Sequence, residues 1–175
     1  PRLYRKWREI DPALTFEQHI HNVFGPPIRA LQQDDEGSAL RQLALRLVSF
    51  DSVDDESAPD DMLQQHDAPA PCYSTYLWHM HEGVRNFDKA RRRCCTRCAP
   101  CTLRPHCGES GPLHHLYSAF LLADAINHGI QLVRCPAMMY AFYLARVGVS
   151  VSVISNDALF LRMRNHPLGE MVAAG

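Results

Sequence analysis

The sequence predicts an α/β protein in which short strands and helices alternate to build a parallel sheet. A pattern of one strand followed by one helix recurs four times between residues 43 and 163, and the connections between these segments are short. Four such units make half of an eightfold barrel. They could also form a small open sheet, but the chain has no glycine-rich phosphate loop of the dinucleotide-binding or Walker type to support that alternative.

Composition narrows the class of protein. The chain has 175 residues, of which 46% are hydrophobic and 21% charged, with a net charge of −1, as in an ordinary globular domain. This charge predicts neither a nucleic acid nor a membrane as partner, and the basic cluster 89–93 is interpreted as a solvated helix end. No apolar run approaches the ~20 residues of a membrane span. The seven cysteines are expected to be reduced thiols, and the protein to be soluble and cytosolic.

The first half of the chain contains a capped helix and a strand. Thr15 and Gln18 fit a capping box, and the helix that follows is expected to end at Gly25-Pro26-Pro27. The apolar run 43–50 predicts a strand, and the acidic segment 51–56 follows it directly. This segment is either a metal or substrate site or a solvated, helix-capping loop, and the sequence leaves both open. Residues 58–72 are expected to form a surface loop.

The second half supplies the other units. Leu77, Met80, Val84 and Phe87 mark an amphipathic helix over residues 74–93. The later predicted elements follow in order: a strand at 101–103, a helix that starts around Ser110-Gly111-Pro112 and runs to about 126, a strand at 130–133, a helix at 136–146, a strand at 149–154 and a helix at 158–163.

The segment Arg104-Pro105-His106-Cys107-Gly108-Glu109 is the first candidate site. It places an imidazole and a carboxylate three residues apart just after a predicted buried strand. Pro105 and Gly108 argue against a helix here, because proline lacks the amide donor and glycine is costly in a helix. His106 and Glu109 are therefore predicted at the carboxyl end of a parallel strand, where the chemistry of such folds is usually found.

Other histidines and cysteines form weaker candidates. His19 and His21, like His79 and His81, have zinc-like spacing, but helical positions two apart point about 200° away from each other and cannot share one ion. Cys107 follows His106 directly, but adjacent strand residues point to opposite faces, which argues against a cysteine nucleophile.

The overlapping Cys-x-x-Cys spacings between residues 94 and 101 suit a structural zinc or an iron–sulfur cluster. A small metal-binding module built on Cys95, Cys98 and Cys101 is therefore an alternative function.

An ordered set of motifs resembles the AMP deaminase family, the purine-nucleotide branch of the adenosine deaminase-like metallohydrolases. The motifs are, in chain order, Pro1-Arg2-Leu3-Tyr4, Ser49-Phe50-Asp51-Ser52-Val53-Asp54-Asp55-Glu56-Ser57, Arg104-Pro105-His106-Cys107-Gly108-Glu109, Ala123-Asp124-x-Ile126-x-His128-Gly129, Ser155-Asn156 with Leu159-Phe160-Leu161, and Asn165-His166-Pro167-Leu168. Their order and spacing extend over nearly the whole chain.

This resemblance implies a (β/α)8 TIM barrel with one catalytic zinc per active site, of which this chain would hold approximately strands 4 to 7 with their helices. It implies hydrolysis of AMP to IMP and ammonia, with water as the second substrate and a homotetramer as the assembly. By motif, His106 is a zinc ligand, Glu109 binds the substrate and donates a proton to purine N1, and His128 is the general base for the hydrolytic water.

Two parts of the family pattern are absent. The first-strand His-x-His and the eighth-strand Asp-Asp-Pro, which supply the other zinc ligands, do not occur at matching positions in residues 1–175. Residues 1–175 are therefore expected to be an incomplete catalytic barrel domain, inactive by itself. A degenerate, non-catalytic deaminase subunit is the alternative within the family.

Overall fold

The computed structural model describes residues 2–33, 35–53, 56, 71–159 and 161–175. The helices are α1 (Arg2–Ile10), α2 (Phe16–Gln32), α3 (Ala39–Arg46), α4 (Tyr73–Cys94), α5 (His114–Leu122), α6 (Pro136–Ala145), α7 (Val153–Leu159) and α8 (Leu168–Ala173), with 3-10 helices at Ile130–Arg134 and Met163–Asn165. The strands are β1 (Ser49–Phe50), β2 (Thr102–Leu103), β3 (His106–Cys107), β4 (Ala125–His128) and β5 (Gly148–Ser150). The predicted surface loop at 58–72 lies almost wholly outside the described residues.

All strand pairs in the described residues are parallel, and within each sheet the spatial order follows chain order. β1 pairs with β2, and β3, β4 and β5 form a second ladder in that order. Pro105 separates β2 from β3 because it has no amide hydrogen. Two hydrogen bonds continue the pairing across this break, from Arg104 N to the Phe50 oxygen at 2.8 Å and from His106 N to the Ser52 oxygen at 3.0 Å. The predicted α/β class with parallel strands is confirmed, and this arrangement is compatible with part of a barrel.

Helix α4 is the centre of the apolar core. It packs against α2 on one side and α5 on the other, and the apolar residues predicted at helical spacing are buried along it. Phe87 and Leu77 have no exposed surface, and Phe87 packs edge-on against Phe50 of β1. Gly83 allows α2 to approach closely, because a Cβ there would overlap the Phe24 ring. The predicted helix at 74–93 is confirmed.

Helix α2 does not end at its prolines. The capping box of Thr15 with Gln18 is present as predicted, but the helix continues through Pro26 and Pro27 to Gln32. A proline inside a helix costs ~3 kcal/mol or more, and burying an apolar side chain such as Phe24 or Leu31 returns about 1.5–3 kcal/mol. The predicted stop was wrong because tertiary burial of the second half of α2 outweighs the local cost.

The first half of the predicted strand at 43–50 is helical. Ser38 caps α3 by accepting the Arg41 amide hydrogen at 3.3 Å, and the following Ala, Leu, Arg and Gln residues all favour helix. Only Ser49 and Phe50 form the strand. The apolar run was therefore misread, because short apolar stretches of helix and strand look alike in sequence.

The segment between α5 and α6 also differs from the prediction. Helix α5 starts at His114, and Ala125–His128 is the strand β4, whereas the predicted strand at 130–133 is a 3-10 helix. Ile126 and His128 are the buried positions of β4, which pairs on both sides. The strand was missed because its only β-branched residue is Ile126, so pairing rather than propensity determines it.

The last predicted unit is shorter than expected. β5 covers Gly148–Ser150 instead of 149–154, and α7 begins at Val153, so Asn156 lies on a helix. The predicted helix at 136–146 is confirmed as α6. No helix within the described part of the chain is both long enough and apolar enough to span a membrane.

Two local expectations, a solvated basic cluster and reduced cysteines, are confirmed for most of the residues concerned and wrong for three of them. Arg91, inside the basic cluster that was expected to be solvated, is buried and donates hydrogen bonds to the Leu47 and Ala99 carbonyl oxygens. Cys95 and Cys98, expected as reduced thiols, form a disulfide with a Cα–Cα distance of 5.5 Å. A turn brings them together, closed by the hydrogen bond from Cys98 N to the Cys95 oxygen.

Candidate functional site

The structure brings His106, Glu109 and His128 together at the carboxyl ends of two neighbouring strands. In the register of β3 with β4, His106 lies beside Asn127, and Cys107 beside His128. The imidazole rings of His106 and His128 are 4.7 Å apart between centroids, and Glu109 Oε1 lies 3.2 Å from His128 Nδ1. The two segments were predicted separately, and their strand pairing makes them one site.

The backbone of the site is bent by three residues with positive φ. Gly108 has φ +75° and Gly129 has φ +62°, which glycine adopts without strain, and His128 has φ +73°, which is uncommon for a side-chain-bearing residue. Hydrogen bonds from Gly129 N to the Cys107 oxygen at 3.0 Å and from Gln131 N to the Gly108 oxygen at 2.8 Å hold both turns. These bonds keep His128 in its unusual conformation beside the end of β3.

His106 is oriented by an aspartate. Its Nδ1 lies 2.9 Å from Asp51 Oδ1, and its backbone oxygen accepts the Tyr73 hydroxyl hydrogen at 3.1 Å. The hydrogen bond to Asp51 raises the pKa of His106 against the effect of burial. Burial acts to raise the pKa of Asp51, but the hydrogen bond and charge of His106 outweigh it and lower that pKa. The pair leaves Nε2 of His106 as the nitrogen available to a ligand.

Glu56 is the second residue of the acidic segment that joins the site. Its side chain is buried, and Oε2 accepts hydrogen bonds from the backbone amides of Glu109 at 2.9 Å and Ser110 at 3.4 Å. Burial raises the pKa of Glu56 to about 7, although these amide hydrogen bonds act in the other direction. From the sequence, the acidic segment 51–56 could be either a metal or substrate site or a solvated loop. Asp51 and Glu56 contact the site, and residues 54 and 55 lie outside the described residues.

Asn156 and His166 also belong to the site and were not predicted in it. Asn156 Nδ2 lies 2.7 Å from Glu109 Oε1 and 2.8 Å from His128 Nδ1, and its Oδ1 lies 3.1 Å from His166 Nε2. Both residues stood in motifs that carried the family resemblance. A polar pair such as Ser155-Asn156 shortly after a predicted strand was the available signal, but nothing in the sequence says which neighbours it reaches.

The electrostatics of His128 differ from those of His106. Burial lowers the pKa of His128, and the Glu109 carboxylate opposes this only in part. The pKa values of the two rings are therefore shifted in opposite directions, which favours the protonated form of His106 and the neutral form of His128. A neutral imidazole beside a carboxylate can accept a proton, and a carboxylic acid beside it can donate one.

The two members of each weaker histidine pair have different surroundings, as predicted from helical geometry. His19 is buried against the Tyr4 and Phe16 rings, whereas His21 is exposed beside Arg29 at 3.1 Å. His79 and His81 likewise diverge, since His79 packs on Phe16 and His81 Nδ1 lies 2.8 Å from the Leu122 oxygen.

In the described residues, the cysteine-rich segment does not assemble a group of metal ligands. Cys95 and Cys98 are bonded to each other, so neither sulfur is available as a thiolate. The described part of the chain holds no group of three or more His, Cys, Asp or Glu side chains that could bind a metal ion. Cys107 is fully buried, and burial raises the pKa of its thiol to about 12, which opposes a nucleophilic role.

Comparison with known proteins identifies the family. The family described as AMP deaminase matches residues 1–175. AMP deaminase 3 of Rattus norvegicus is 34% identical over 184 residues, which cover 100% of this chain and 24% of that protein. AMP deaminase of Saccharomyces cerevisiae is 36% identical over 175 residues, and that of Arabidopsis thaliana 33% over 175, each covering 95% of this chain and 21% of the relative. The chain thus spans about a quarter or less of the length of these relatives. With the whole chain matched, it belongs to the AMP deaminase family.

Proposed function

We propose that this chain supplies part of the active site of an enzyme that hydrolyses AMP to IMP and ammonia. The observation that carries the proposal is the cluster of His106, Glu109 and His128 at the ends of adjacent parallel strands in a member of this family. The reaction replaces the 6-amino group of the purine by oxygen from water. It needs a proton for the ring, a base for the water and a means of activating that water.

The proposed architecture is a (β/α)8 barrel to which this chain contributes approximately the fourth to seventh strands. The parallel pairing in chain order, with helices between successive strands, supports this assignment. In such barrels the active site lies at the carboxyl ends of the strands, which is where β3 and β4 place His106 and His128.

The proposed cofactor is one zinc ion, and His106 fits one position in its ligand set. Asp51 holds Nδ1 of this ring, in the manner of the outer carboxylates that orient zinc-bound imidazoles. A single ligand does not bind zinc usefully, so we propose that the remaining ligands lie outside this chain. When bound, zinc supplies Lewis-acid activation of the hydrolytic water.

Glu109 is proposed to bind the purine edge and donate a proton to N1. Its Oε1 lies 3.2 Å from His128 Nδ1 and 2.7 Å from Asn156 Nδ2. Hydrogen bonds from the backbone amides of residues 109 and 110 to Glu56 hold its backbone. Protonation of N1 lets the ring accept electrons as C6 is attacked, so the donor must be held at the ring edge. Placement just after β3, on an anchored turn, provides that rigidity.

His128 is proposed as the general base for water. Its ring stands beside both the proposed zinc ligand and the proposed acid, at 4.7 Å from the His106 ring centroid and 3.2 Å from Glu109 Oε1. A base in this position takes a proton from the water as it attacks C6, while Glu109 donates a proton to N1. The two groups thus divide acid and base chemistry between them.

The test is ammonia release from AMP, with zinc supplied and adenosine as control substrate, on the full-length gene product and on this chain side by side. We expect activity in the longer protein, loss of at least about 100-fold in Glu109→Gln and in His128→Ala, and no activity in the 175-residue chain. His79→Ala, outside the cluster, is the matched control and should keep activity. Absence of activity in every form would favour the non-catalytic subunit.

Assembly and compartment are also proposals. We infer a homo-oligomer, in keeping with the family resemblance, and several apolar side chains such as Tyr143, Leu144 and Val172 are exposed along a groove beside β5 that an assembly or further chain would cover. The proposed compartment is the cytosol, where the Cys95–Cys98 disulfide would meet a reducing environment. Light scattering and cell fractionation test these two points.

A further inference from the structure

We propose that Asn156 is a positioning residue that fixes the Glu109 carboxyl group beside His128 and reserves one carboxyl oxygen for the proton. This inference rests on the proposed function of Glu109 and His128. Asn156 is not a catalytic residue here, because it is completely buried behind the two groups and acts through them.

The backbone of Asn156 is held on both sides. Its amide nitrogen donates to the Ser152 oxygen at 3.0 Å, and its carbonyl oxygen accepts from Leu161 N at 2.8 Å. With 0% of its surface exposed, the side chain has no alternative partner in solvent. A buried carboxamide in one orientation can hold neighbouring groups more rigidly than a group exposed to water.

The direction of the hydrogen bonds follows from groups that can act only one way. The backbone amide of Leu168 can only donate, and it donates to His166 Nδ1 at 3.1 Å. Nδ1 of His166 therefore carries the lone pair, and the ring hydrogen is on Nε2. Nε2 then donates to Asn156 Oδ1 at 3.1 Å.

This fixes the orientation of the Asn156 amide. With Oδ1 engaged by His166, the amino group must face Glu109, and Nδ2 donates to Glu109 Oε1 at 2.7 Å. The orientation does not depend on whether Glu109 is ionised, because the backbone of Leu168 sets it from the far end. The four groups form one directed chain of hydrogen bonds that ends at Oε1.

The consequence for Glu109 concerns its two oxygens. Oε1 accepts a hydrogen from Asn156, so a proton carried by Glu109 is placed on Oε2. Asn156 thereby determines which oxygen carries the proton and prevents a rotation of the carboxyl group that would exchange its two oxygens. The structure thus predicts that Asn156 affects the chemical step far more than the binding of AMP.

The first experiment does not use activity. Nitrogen-15 NMR of the imidazole rings in this chain should show His166 as the Nε2–H tautomer, and Asn156→Ala should change the His166 ring signals while leaving those of the distant His21 unchanged. A His166 ring with its hydrogen on Nδ1, or His166 signals that Asn156→Ala does not move, would overturn the proposal. This readout decides the question even if the protein does not act on AMP.

The second experiment separates positioning from fold stability. Asn156→Asp keeps an oxygen for His166 but replaces the donor with a carboxylate that faces Glu109. We expect kcat to fall about 100-fold with KM within about threefold, as for a group displaced from its working position. Glu170→Gln, exposed on α8, is the control. A kcat within threefold of the unmodified protein, or a raised KM with unchanged kcat, would contradict the assignment.

Thermal melts are recorded for both variants, and kcat is expressed per folded molecule. A purely structural role would lower the melting temperature and leave the kcat of the folded fraction intact, which would also overturn the proposal. An unmodified protein without AMP activity would refute the proposed function instead, and the NMR result would then decide on Asn156 alone.

Discussion

Replacing Glu56 by glutamine should change the pH dependence of stability. Glu56 is buried, its Oε2 accepts the amide hydrogens of residues 109 and 110, and its pKa is raised from the ordinary value of 4.5 to about 7. Glutamine has nearly the same shape and keeps an oxygen that can accept these amides. It cannot ionise, however, so any dependence of stability on the Glu56 proton disappears.

The magnitude follows from the two pKa values. Between pH 4.5 and about 7 the folded protein keeps the Glu56 proton whereas the unfolded chain loses it, so folding stability falls as the pH rises. A shift of about 2.5 units, at about 1.4 kcal/mol per unit, gives roughly 3 kcal/mol of stability that is present below pH 4.5 and lost above pH 7. Because the group is buried, solvent screens little of this effect.

The assay is urea unfolding of both proteins at pH 5 and pH 8.5. Relative to the unmodified chain, Glu56→Gln should gain about 2.5 kcal/mol in the free energy of unfolding between pH 5 and pH 8.5, because a part of the total effect is already lost at pH 5. Glu9→Gln, on the exposed side of α1, is the control. Its free energy of unfolding should differ from that of the unmodified chain by a similar small amount at both pH values. Parallel stability curves for the unmodified chain and Glu56→Gln across this range would refute the reasoning, because Glu56 would then ionise alike in both states.

Three further predictions concern the core, the disulfide and the site. Phe87→Ala should lower the free energy of unfolding by about 3–5 kcal/mol, whereas Leu121→Ala, which is 77% exposed, should change it by less than about 0.5 kcal/mol; equal effects in urea unfolding would contradict the core assignment. Cys95→Ser opens the disulfide and should cost about 2 kcal/mol, as expected for so short a loop, and reductant should then have no further effect. Asp51→Asn should lower the pKa of His106 in an NMR titration, and an unchanged value would show that Asp51 does not set it.

Much of the fold could be predicted from the sequence because local patterns carried the information. The capping box of Thr15, the apolar spacing along α4 and the start of α6 at Pro136 are local features, and the structure has all three. The continuation of α2 through Pro26 and Pro27 could not be predicted, because its cause is contact with α4, far away in the chain. The strand at 125–128 escaped prediction for the same reason, since two neighbouring strands determine it.

The sequence alone determined the family, and it predicted His106, Glu109 and His128 as candidate site residues, because the motifs around them are contiguous and ordered along the chain. The tertiary structure decided which other residues support them. The contacts of Asp51 with His106 and of Glu56 with Glu109 span 55 and 53 residues of chain. Asn156 contacts His128 across 28 residues and Glu109 across 47, and His166 contacts Asn156 across 10. Such contacts leave no local pattern, because parallel strands bring their carboxyl ends to one edge only after the helices between them have packed.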